Sequence, residues 1–464
     1  MRPNDPTSTP PEAWRPAHRA IRAFVAPVER FLHVEASSGV LLLVAAVLAL
    51  LLANSPLRGA YEAFWGTPLG FAVGDAGFTR DLRWWVNDGL MTVFFFVVGL
   101  EIRRELHHGE LSELRRAALP LAAAVGGMLL PALLYLAFNV GRPSAGGWGV
   151  PMATDIAFAV GVLALLGDRV APALRILLLS LAVIDDLGAI LVIAFFYSDG
   201  ISVPALAMSA LGLASIPALQ WIGVRSPLMY LPSALVAWAG AYASGVHPTI
   251  AGVLVGLLTP VRTWVGATTF AETAETAARE VRAAADRGVA DLRVHLGPLH
   301  HAAREVVSPV ERLQHALHAW VAFAIMPIFA FANAGVALGS ADLSGEWRVF
   351  VGVFVGLLVG KPVGVLLVSR LAAAGGLAAV PRGVGWSQVS VVGLVAGIGF
   401  TMALFIAQLA FPPGPALETA KLGILAASLC AGVVGYVVGR VVLAPSSSTG
   451  AARTLAEAEA ATDA

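Results

Sequence analysis

Two adjacent aspartates, Asp185 and Asp186, lie in the middle of a long apolar segment. Nine uncharged residues precede them (176–184) and eleven follow them (187–197). A segment of this length can span a bilayer, which needs about 20 mostly apolar residues. An ionised aspartate at membrane depth costs about 2.5–3.5 kcal/mol on insertion scales, so such a pair is typical of an ion or proton pathway. The alternative interpretation is that buried partners satisfy both acids, which then only hold helices together.

The composition of the chain is that of a membrane protein. Hydrophobic residues make up 58% of its 464 residues and charged residues 13%, whereas soluble domains have roughly 25% charged residues. The single cysteine, Cys430, lies in an apolar segment, which excludes a disulfide framework and a cysteine metal site. The start of the chain is polar and rich in proline, so we expect no cleaved signal peptide. The net charge of +0 says nothing about partners, because the distribution of charge along the chain carries that information, and we expect no nucleic-acid partner.

The apolar segments predict an all-α polytopic membrane protein with twelve transmembrane helices. Their approximate bounds are 38–54, 88–102, 117–139, 150–167, 171–198, 203–223, 228–244, 247–260, 315–338, 347–370, 386–411 and 417–443. We expect a cytoplasmic N-terminal arm over 1–30, a twelve-helix domain over 31–443 and a disordered cytoplasmic tail over 444–464. Within the domain, the polar insert 262–312 has charges at helical spacing and is expected to form a solvated cytoplasmic helix.

The distribution of basic residues supports this topology. With the N-terminus inside, the cytoplasmic segments hold 23 basic residues and the external segments hold 6. This excess agrees with the positive-inside rule, so we expect both termini in the cytoplasm. Between the first two spans, the strand-like segments 68–73 and 78–83 flank a turn-like cluster, which predicts a small extracytoplasmic β-hairpin.

Two spans are expected to break in mid-membrane. Proline and glycine precede Asp155 in the first of them, and the second contains the glycine-rich stretch 393–401. Breaks at corresponding places in two halves, here 117–198 and 347–443, are typical of transporters with inverted-topology repeats. The broken ends expose amides and carbonyls that carry partial charges. We expect Asp155 to neutralise the ends at one break and Lys361 those at the other.

Lys361 lies in an apolar span and is one of only two lysines among 30 basic residues. Arginine stays protonated in proteins, whereas a buried lysine can release its proton. The use of lysine at this position therefore favours a functional cation over a purely structural one.

Eight short motifs occur in colinear order between about residues 30 and 443. They are Asn87-Asp88-Gly89-Leu90-Met91, Gly99-Leu100-Glu101-Ile102-Arg103-Arg104-Glu105-Leu106, Ala153-Thr154-Asp155-Ile156-Ala157-Phe158-Ala159, Ile184-Asp185-Asp186-Leu187-Gly188-Ala189-Ile190, Ser244-Gly245-Val246-His247, Phe331-Ala332-Asn333-Ala334-Gly335-Val336, Gly360-Lys361-Pro362 and Gly397-Ile398-Gly399-Phe400-Thr401-Met402. Together they resemble the bacterial NhaA-type Na⁺/H⁺ antiporter family.

The resemblance implies twelve spans in two inverted repeats with two crossed discontinuous helices. It also implies electrogenic exchange of one Na⁺ or Li⁺ for more protons. Asp186 would be the principal ion ligand, Asp185 its proton-carrying partner, and Lys361 the ion-pair mate of Asp185. Asp155 and Thr154 would lie at the first break, with Thr154 joining the two acids as a Na⁺ ligand. No cofactor is implied. A homodimer in the lipid bilayer of the bacterial cytoplasmic (inner) membrane is expected.

The family places pH-responsive residues at positions that correspond here to Glu101, His247, His315 and His318. The chain departs from the family in two respects, because Gln314 stands where a glutamate is frequent and the cytoplasmic insert is unusually long. Both departures concern the pH sensor and leave ion exchange intact. For His315 and His318 the alternative interpretation is that they are solvated histidines beside the membrane.

The chemistry of the acid pair agrees with an exchange function. Neighbouring residues on a helix point about 100° apart, so one acid can face a water-filled cavity while the other faces a lysine. Na⁺ is a hard cation that prefers oxygen ligands, which carboxylates, a threonine hydroxyl and freed carbonyls supply. Such a site can hold Na⁺ or protons but not both, and alternating its exposure between the two sides yields antiport.

Other functions are weighed against this prediction. A proton-coupled symporter of a small organic anion could use a similar fold, but it would need a cationic substrate pocket. A channel would not need carboxylates that titrate in competition with the ion. An ATP-driven pump is disfavoured because the sequence contains no P-loop pattern. We therefore expect a secondary active transporter and not an enzyme.

Overall fold

A computed structural model of the chain describes residues 35–73, 76–198, 200–286, 293–339, 344–381 and 384–443. The predicted arm and tail therefore lie outside the described residues. Within the described ranges the regular structure is helical apart from one two-stranded sheet.

The helices are numbered here in chain order. They are α1 (Glu35–Ala53), α2 (Arg58–Trp65), α3 (Leu82–His108), α4 (Leu114–Asn139), α5 (Ile156–Leu165), α6 (Pro172–Phe196), α7 (Val203–Trp221), α8 (Leu231–Ser244), α9 (Pro248–Leu258), α10 (Ala267–Asp286), α11 (Arg293–Glu305), α12 (Pro309–Asn333), α13 (Trp347–Ala374), α14 (Trp386–Ala396), α15 (Phe400–Ala410) and α16 (Pro415–Val442). A 3₁₀ helix, Pro143–Met152, precedes α5. A π-helical segment, Gly356–Gly360, lies within α13 just before Lys361.

The described chain contains several candidate membrane spans. Seven helices, α3, α4, α6, α7, α12, α13 and α16, are long and apolar enough to cross a membrane. Three further pairs of helices are bent at a short break, and counting each pair as one span raises the number to ten. Helices α8 and α9 have only 14 and 11 residues. Each of the twelve predicted spans overlaps a helix, so a multi-pass helical protein is confirmed, while the count of twelve stays a prediction.

The predicted hairpin is present. Strands β1 (Pro68–Val73) and β2 (Ala76–Asp81) pair antiparallel, with Phe71 opposite Phe78. The prediction placed the second strand two residues too late, because the ladder continues to the pair Val73 and Ala76. At the end of β2, the Asp81 side chain accepts the N–H of Trp84 at 2.6 Å and so caps the start of α3.

The insert forms two helices, α10 and α11, where one was predicted. The carbonyl of Glu305, the last residue of α11, accepts the N–H groups of Trp264 and Val265. The Glu305 side chain is buried, and Nη1 of Arg312 lies 3.9 Å from its Oε1. The second helix of the insert is therefore tied to the chain before it and to the start of α12.

Close packing of α4 against α13 positions the lysine of the core. A Cβ atom added to Gly126 or to Gly364 would lie 2.1 Å from the carbonyl oxygen of the other residue, so the two backbones touch and only glycine fits. Lys361 lies three residues before Gly364 and therefore on the same face of α13. Its side chain runs over Gly127, where an added Cβ would lie 3.7 Å from Cγ of the lysine.

Candidate ion site

The two predicted breaks exist and touch each other. The 3₁₀ helix Pro143–Met152 and α5 are bent by 43° at residues 153–155, and α14 and α15 by 50° at residues 397–399. The N–H of Asp155 donates to the carbonyl of Ile398, with 2.7 Å between nitrogen and oxygen. The Thr154 hydroxyl lies 3.1 Å from the carbonyl oxygen of Ala396, the last residue of α14. The amide of Asp155 at one break thus satisfies the carbonyl of Ile398 at the other.

Asp155 caps the helices that follow both breaks. Its Oδ1 accepts the N–H of Phe158 in the first turn of α5 at 3.0 Å. Its Oδ2 accepts the N–H of Thr401 in the first turn of α15 at 3.1 Å, and also accepts the Thr401 hydroxyl. Because helix N-termini carry partial positive charge, this buried carboxylate neutralises two of them at once. The prediction assigned Asp155 to one break, and the structure places it at both.

Lys361 forms a buried ion pair with Asp185. The distance from Nζ to Oδ2 is 2.8 Å, and both side chains have 0% exposure. The ammonium group also donates to the carbonyl of Met152, at the C-terminal and partially negative end of the 3₁₀ helix. The expectation that Lys361 would neutralise the second break is therefore wrong, because its bond is made at the first. The cause is the approach of α13 to that break, where Gly356 leaves no room for a Cβ beside Pro151.

The two aspartates of α6 each keep a free oxygen. Asp185 uses Oδ2 for the ammonium group of Lys361 and for the Thr154 hydroxyl, which lies at 2.7 Å. Within the described ranges, Oδ1 of Asp185 and Oδ1 of Asp186 are buried without a hydrogen-bond partner. A buried carboxylate oxygen without a partner is costly, and a cation or a proton would satisfy it. The atoms that could contact a cation here are oxygens, namely the two free carboxylate oxygens and the Thr154 hydroxyl beside Asp185. This is the donor type that Na⁺ prefers.

Glu101 is the predicted pH-responsive residue that lies near this site. It is on α3, which packs against α6, and its carboxyl group is close enough to that of Asp186 for the two to interact electrostatically. The structure thus brings together six of the predicted residues: Thr154, Asp155, Asp185, Asp186, Lys361 and Glu101.

The predicted histidines lie elsewhere. His247 precedes α9, where its Nε2 is 3.5 Å from Oδ1 of Asp88 and its Nδ1 is 2.8 Å from the hydroxyl oxygen of Thr249. His315 and His318 are exposed on the first turns of α12. Their part in pH response stays a prediction.

Two residues of the site were not predicted. Thr401 lies in the motif 397–402, where a hydroxyl side chain directly after the Gly-Ile-Gly-Phe break is a local signal for a capping role. Ser428 lies on α16, 28 residues after Phe400 in the chain, and its hydroxyl accepts the N–H of Phe400 at 3.0 Å. Its contact depends on how α16 packs, so no local pattern could identify it.

Known proteins resemble this chain over almost its whole length. A sequence profile of the family described as "Na+/H+ antiporter 1" matches residues 29–438. The chain belongs to this Na⁺/H⁺ antiporter family. It is 55% identical to "Na(+)/H(+) antiporter NhaA 2" of Sorangium cellulosum over 99% of both chains, and 56% identical to the protein of the same name from Myxococcus xanthus over 98% of both. A more distant relative, "Na(+)/H(+) antiporter NhaA" of Bartonella henselae, is 44% identical over 92% of this chain and 94% of its own.

Membership confirms the predicted family and a multi-pass bacterial membrane protein. Members of this Na⁺/H⁺ antiporter family are secondary transporters and not enzymes. The comparisons support the antiporter prediction and give no support to the organic-anion symporter.

Proposed function

We propose that this antiporter extrudes Na⁺ or Li⁺ from the bacterial cytoplasm in electrogenic exchange for protons. The observation that carries the proposal is the pair of free buried carboxylate oxygens, Oδ1 of Asp185 and Oδ1 of Asp186, beside two touching helix breaks. Each oxygen can be satisfied either by Na⁺ or by a proton, so the two substrates compete for the same atoms.

Asp186 is proposed as the principal Na⁺ ligand. The Asp185 carboxylate and the Thr154 hydroxyl supply further oxygens, since the hydroxyl donates its one proton to Asp185 and keeps its lone pairs. Lys361 holds Asp185 in place while Na⁺ is bound. Asp155 is proposed to keep the two breaks together, which fixes Thr154 beside Asp185.

Charge counting favours electrogenic exchange. With Na⁺ bound, two carboxylates, one ammonium group and one Na⁺ sum to zero. With both acids protonated and Lys361 charged, the site carries one positive charge, so the cycle moves net charge inward. Burying an uncompensated negative charge is costly, so a site that is empty of both Na⁺ and protons should reorient poorly. That restriction couples the two ion flows.

The finer architecture is part of the proposal. We infer that the three bent pairs of helices and the short helices α8 and α9 complete twelve spans in two inverted repeats. In this arrangement the two discontinuous spans cross at their breaks, which the hydrogen bond from Asp155 to Ile398 supports. The excess of basic residues on alternate segments favours cytoplasmic termini in the inner membrane. A homodimer is part of the proposal because the family resemblance implies it. Regulation by pH would contribute to pH homeostasis.

Purified protein in liposomes with an internal pH dye tests the proposal. Addition of Na⁺ or Li⁺ should drive protons out of the vesicles, and an imposed membrane potential should change the rate. Liposomes containing the Asp186→Asn variant serve as the control. Proton movement evoked by no alkali cation would refute the function, and a rate insensitive to potential would refute electrogenic exchange.

A further inference from the structure

The two helices that follow the breaks are capped in different ways. Helix α5 is capped from its own segment, because Asp155 precedes it and accepts the N–H of Phe158. Helix α15 follows Gly399, which has no side chain and makes no cap of its own. The amides of its first turn must therefore find partners on other elements, or remain unsatisfied in the core.

Two separate elements supply those partners. Asp155 accepts the N–H of Thr401 at 3.1 Å, and the hydroxyl of Ser428 accepts the N–H of Phe400 at 3.0 Å. Ser428 has 5% exposure, so water does not replace it easily. The start of α15 is thus held from one side by the first break and from the other by α16.

Helix α16 is shaped to support the second break. It is continuous over 28 residues and presents small residues at the contact. A Cβ atom added to Gly432 would lie 3.8 Å from Cδ1 of Ile398, and one added to Gly397 would lie 3.5 Å from Cβ of Ala431. Small side chains let the backbone of α16 lie close to that of the second break. Ser428 adds a hydrogen bond to the Phe400 amide at this contact.

We propose that Ser428 is a positioning residue for the ion site. By fixing the N–H of Phe400, it sets the position of the next residue, Thr401, against Asp155. Thr154 directly precedes Asp155 in the chain, and its hydroxyl oxygen lies 2.7 Å from Oδ2 of Asp185. A shift at the start of α15 therefore reaches the proposed Na⁺ ligands through two hydrogen bonds, from Thr401 to Asp155 and from Thr154 to Asp185, which the peptide bond between Thr154 and Asp155 connects. The inference rests on the proposed function, since its effect is measured as Na⁺ affinity.

The test compares Na⁺ kinetics of Ser428→Ala with those of wild type in proteoliposomes at one alkaline pH. Loss of the acceptor leaves the Phe400 amide unpaired and the first turn of α15 less fixed. We expect the apparent KM for Na⁺ to rise about tenfold, the size of effect expected for one buried hydrogen bond, with little change in the maximal rate. Ser428→Cys, similar in size but a weaker acceptor, should give an intermediate KM and provides a second variant if the alanine protein does not fold.

The matched control is Ser209→Ala. Ser209 is also buried at 5% exposure and donates to the carbonyl of Ala237 at 2.8 Å, but it joins α7 to α8 away from the breaks. We expect its KM to equal that of wild type. An unchanged KM in folded Ser428→Ala, or an equal rise in Ser209→Ala, would overturn the positioning role. An inactive wild-type protein would instead refute the proposed function, so the two failures are distinguishable.

Discussion

The carboxylate of Asp155 accepts both hydrogen bonds that Thr401 can donate to it, one from the backbone N–H at 3.1 Å and one from the hydroxyl. Since its other oxygen caps α5 through Phe158, neither oxygen of Asp155 lacks a partner. The oxygens left over at the breaks belong to Asp185 and Asp186. This division separates a carboxylate that holds the helix ends from two that can exchange ligands.

Replacement of Asp155 by Asn should mainly lower the stability of the protein and should leave part of its Na⁺-dependent transport. An amide keeps one acceptor oxygen, but its NH₂ group would face an N–H donor and leave that donor unsatisfied, at a cost of about 1–3 kcal/mol. We expect a lower melting temperature in detergent, with residual Na⁺-dependent proton movement. An inactive Asp155→Asn protein with wild-type stability would instead make Asp155 a direct participant in ion transfer.

Replacement of Asp186 by Asn should abolish transport and leave the stability of the protein largely unchanged. Asn keeps the shape and one oxygen but neither charges nor titrates, so Na⁺-dependent proton movement should be lost while the protein stays folded in the membrane. Asp168→Asn, at an exposed position between α5 and α6, is the control and should transport normally. Near-normal exchange by correctly inserted Asp186→Asn would refute its assignment as principal ligand.

Lys361 can be tested with two substitutions. Ala would leave Asp185 as an unpaired buried charge, which costs about 3–5 kcal/mol, so Lys361→Ala should lose both activity and thermal stability. Lys361→Arg keeps the charge that neutralises Asp185 and the end of the 3₁₀ helix, so we expect it to be partly active. Arg should fail if the lysine must release its proton during turnover, because Arg stays protonated.

The second lysine provides the control for these variants. Lys421 pairs with Glu418 at 2.9 Å near the start of α16, and 22% of the Glu418 side chain is exposed, whereas the Asp185 side chain has 0% exposure. Glu418 keeps some contact with water when its partner is removed, so Lys421→Ala should cost less stability than Lys361→Ala. A stable and fully active Lys361→Ala protein would refute a structural need for the buried ion pair.

The exposed histidines of α12 should be dispensable for the basic pH dependence. His315 and His318 are exposed, and the proposed competition between Na⁺ and protons at the aspartates would by itself lower transport at acid pH. The double variant His315→Ala, His318→Ala should keep the wild-type pH profile, as should His300→Ala, His301→Ala on the insert. An alkaline shift seen only in the α12 variant would establish these histidines as regulators.

Much of the fold could be predicted because hydrophobic length and charge are local properties. The acid pair was predicted from two charges within an apolar segment, both helix breaks from the positions of glycine and proline, and the hairpin from two strand-like segments around a turn. The pairing of Lys361 with Asp185 came from the family resemblance. Lys361 was predicted to neutralise the second break but contacts the first. The prediction was wrong because this contact depends on the packing of Gly356 in α13 against Pro151. Ser428 was missed for the same reason, since a contact between α16 and the second break leaves no mark in the local sequence.

The apparent KM for Na⁺ as a function of pH tests the central claim most directly. If Na⁺ and protons compete for the free oxygens of Asp185 and Asp186, the fraction of sites able to bind Na⁺ falls tenfold for each pH unit below the pKa of the site. The KM should then rise about tenfold per pH unit at saturating proton gradient, or up to about a hundredfold if two coupled protons must leave. The maximal rate should change much less over the same range. A KM that stays constant with pH while the maximal rate collapses would contradict competition at one carboxylate site.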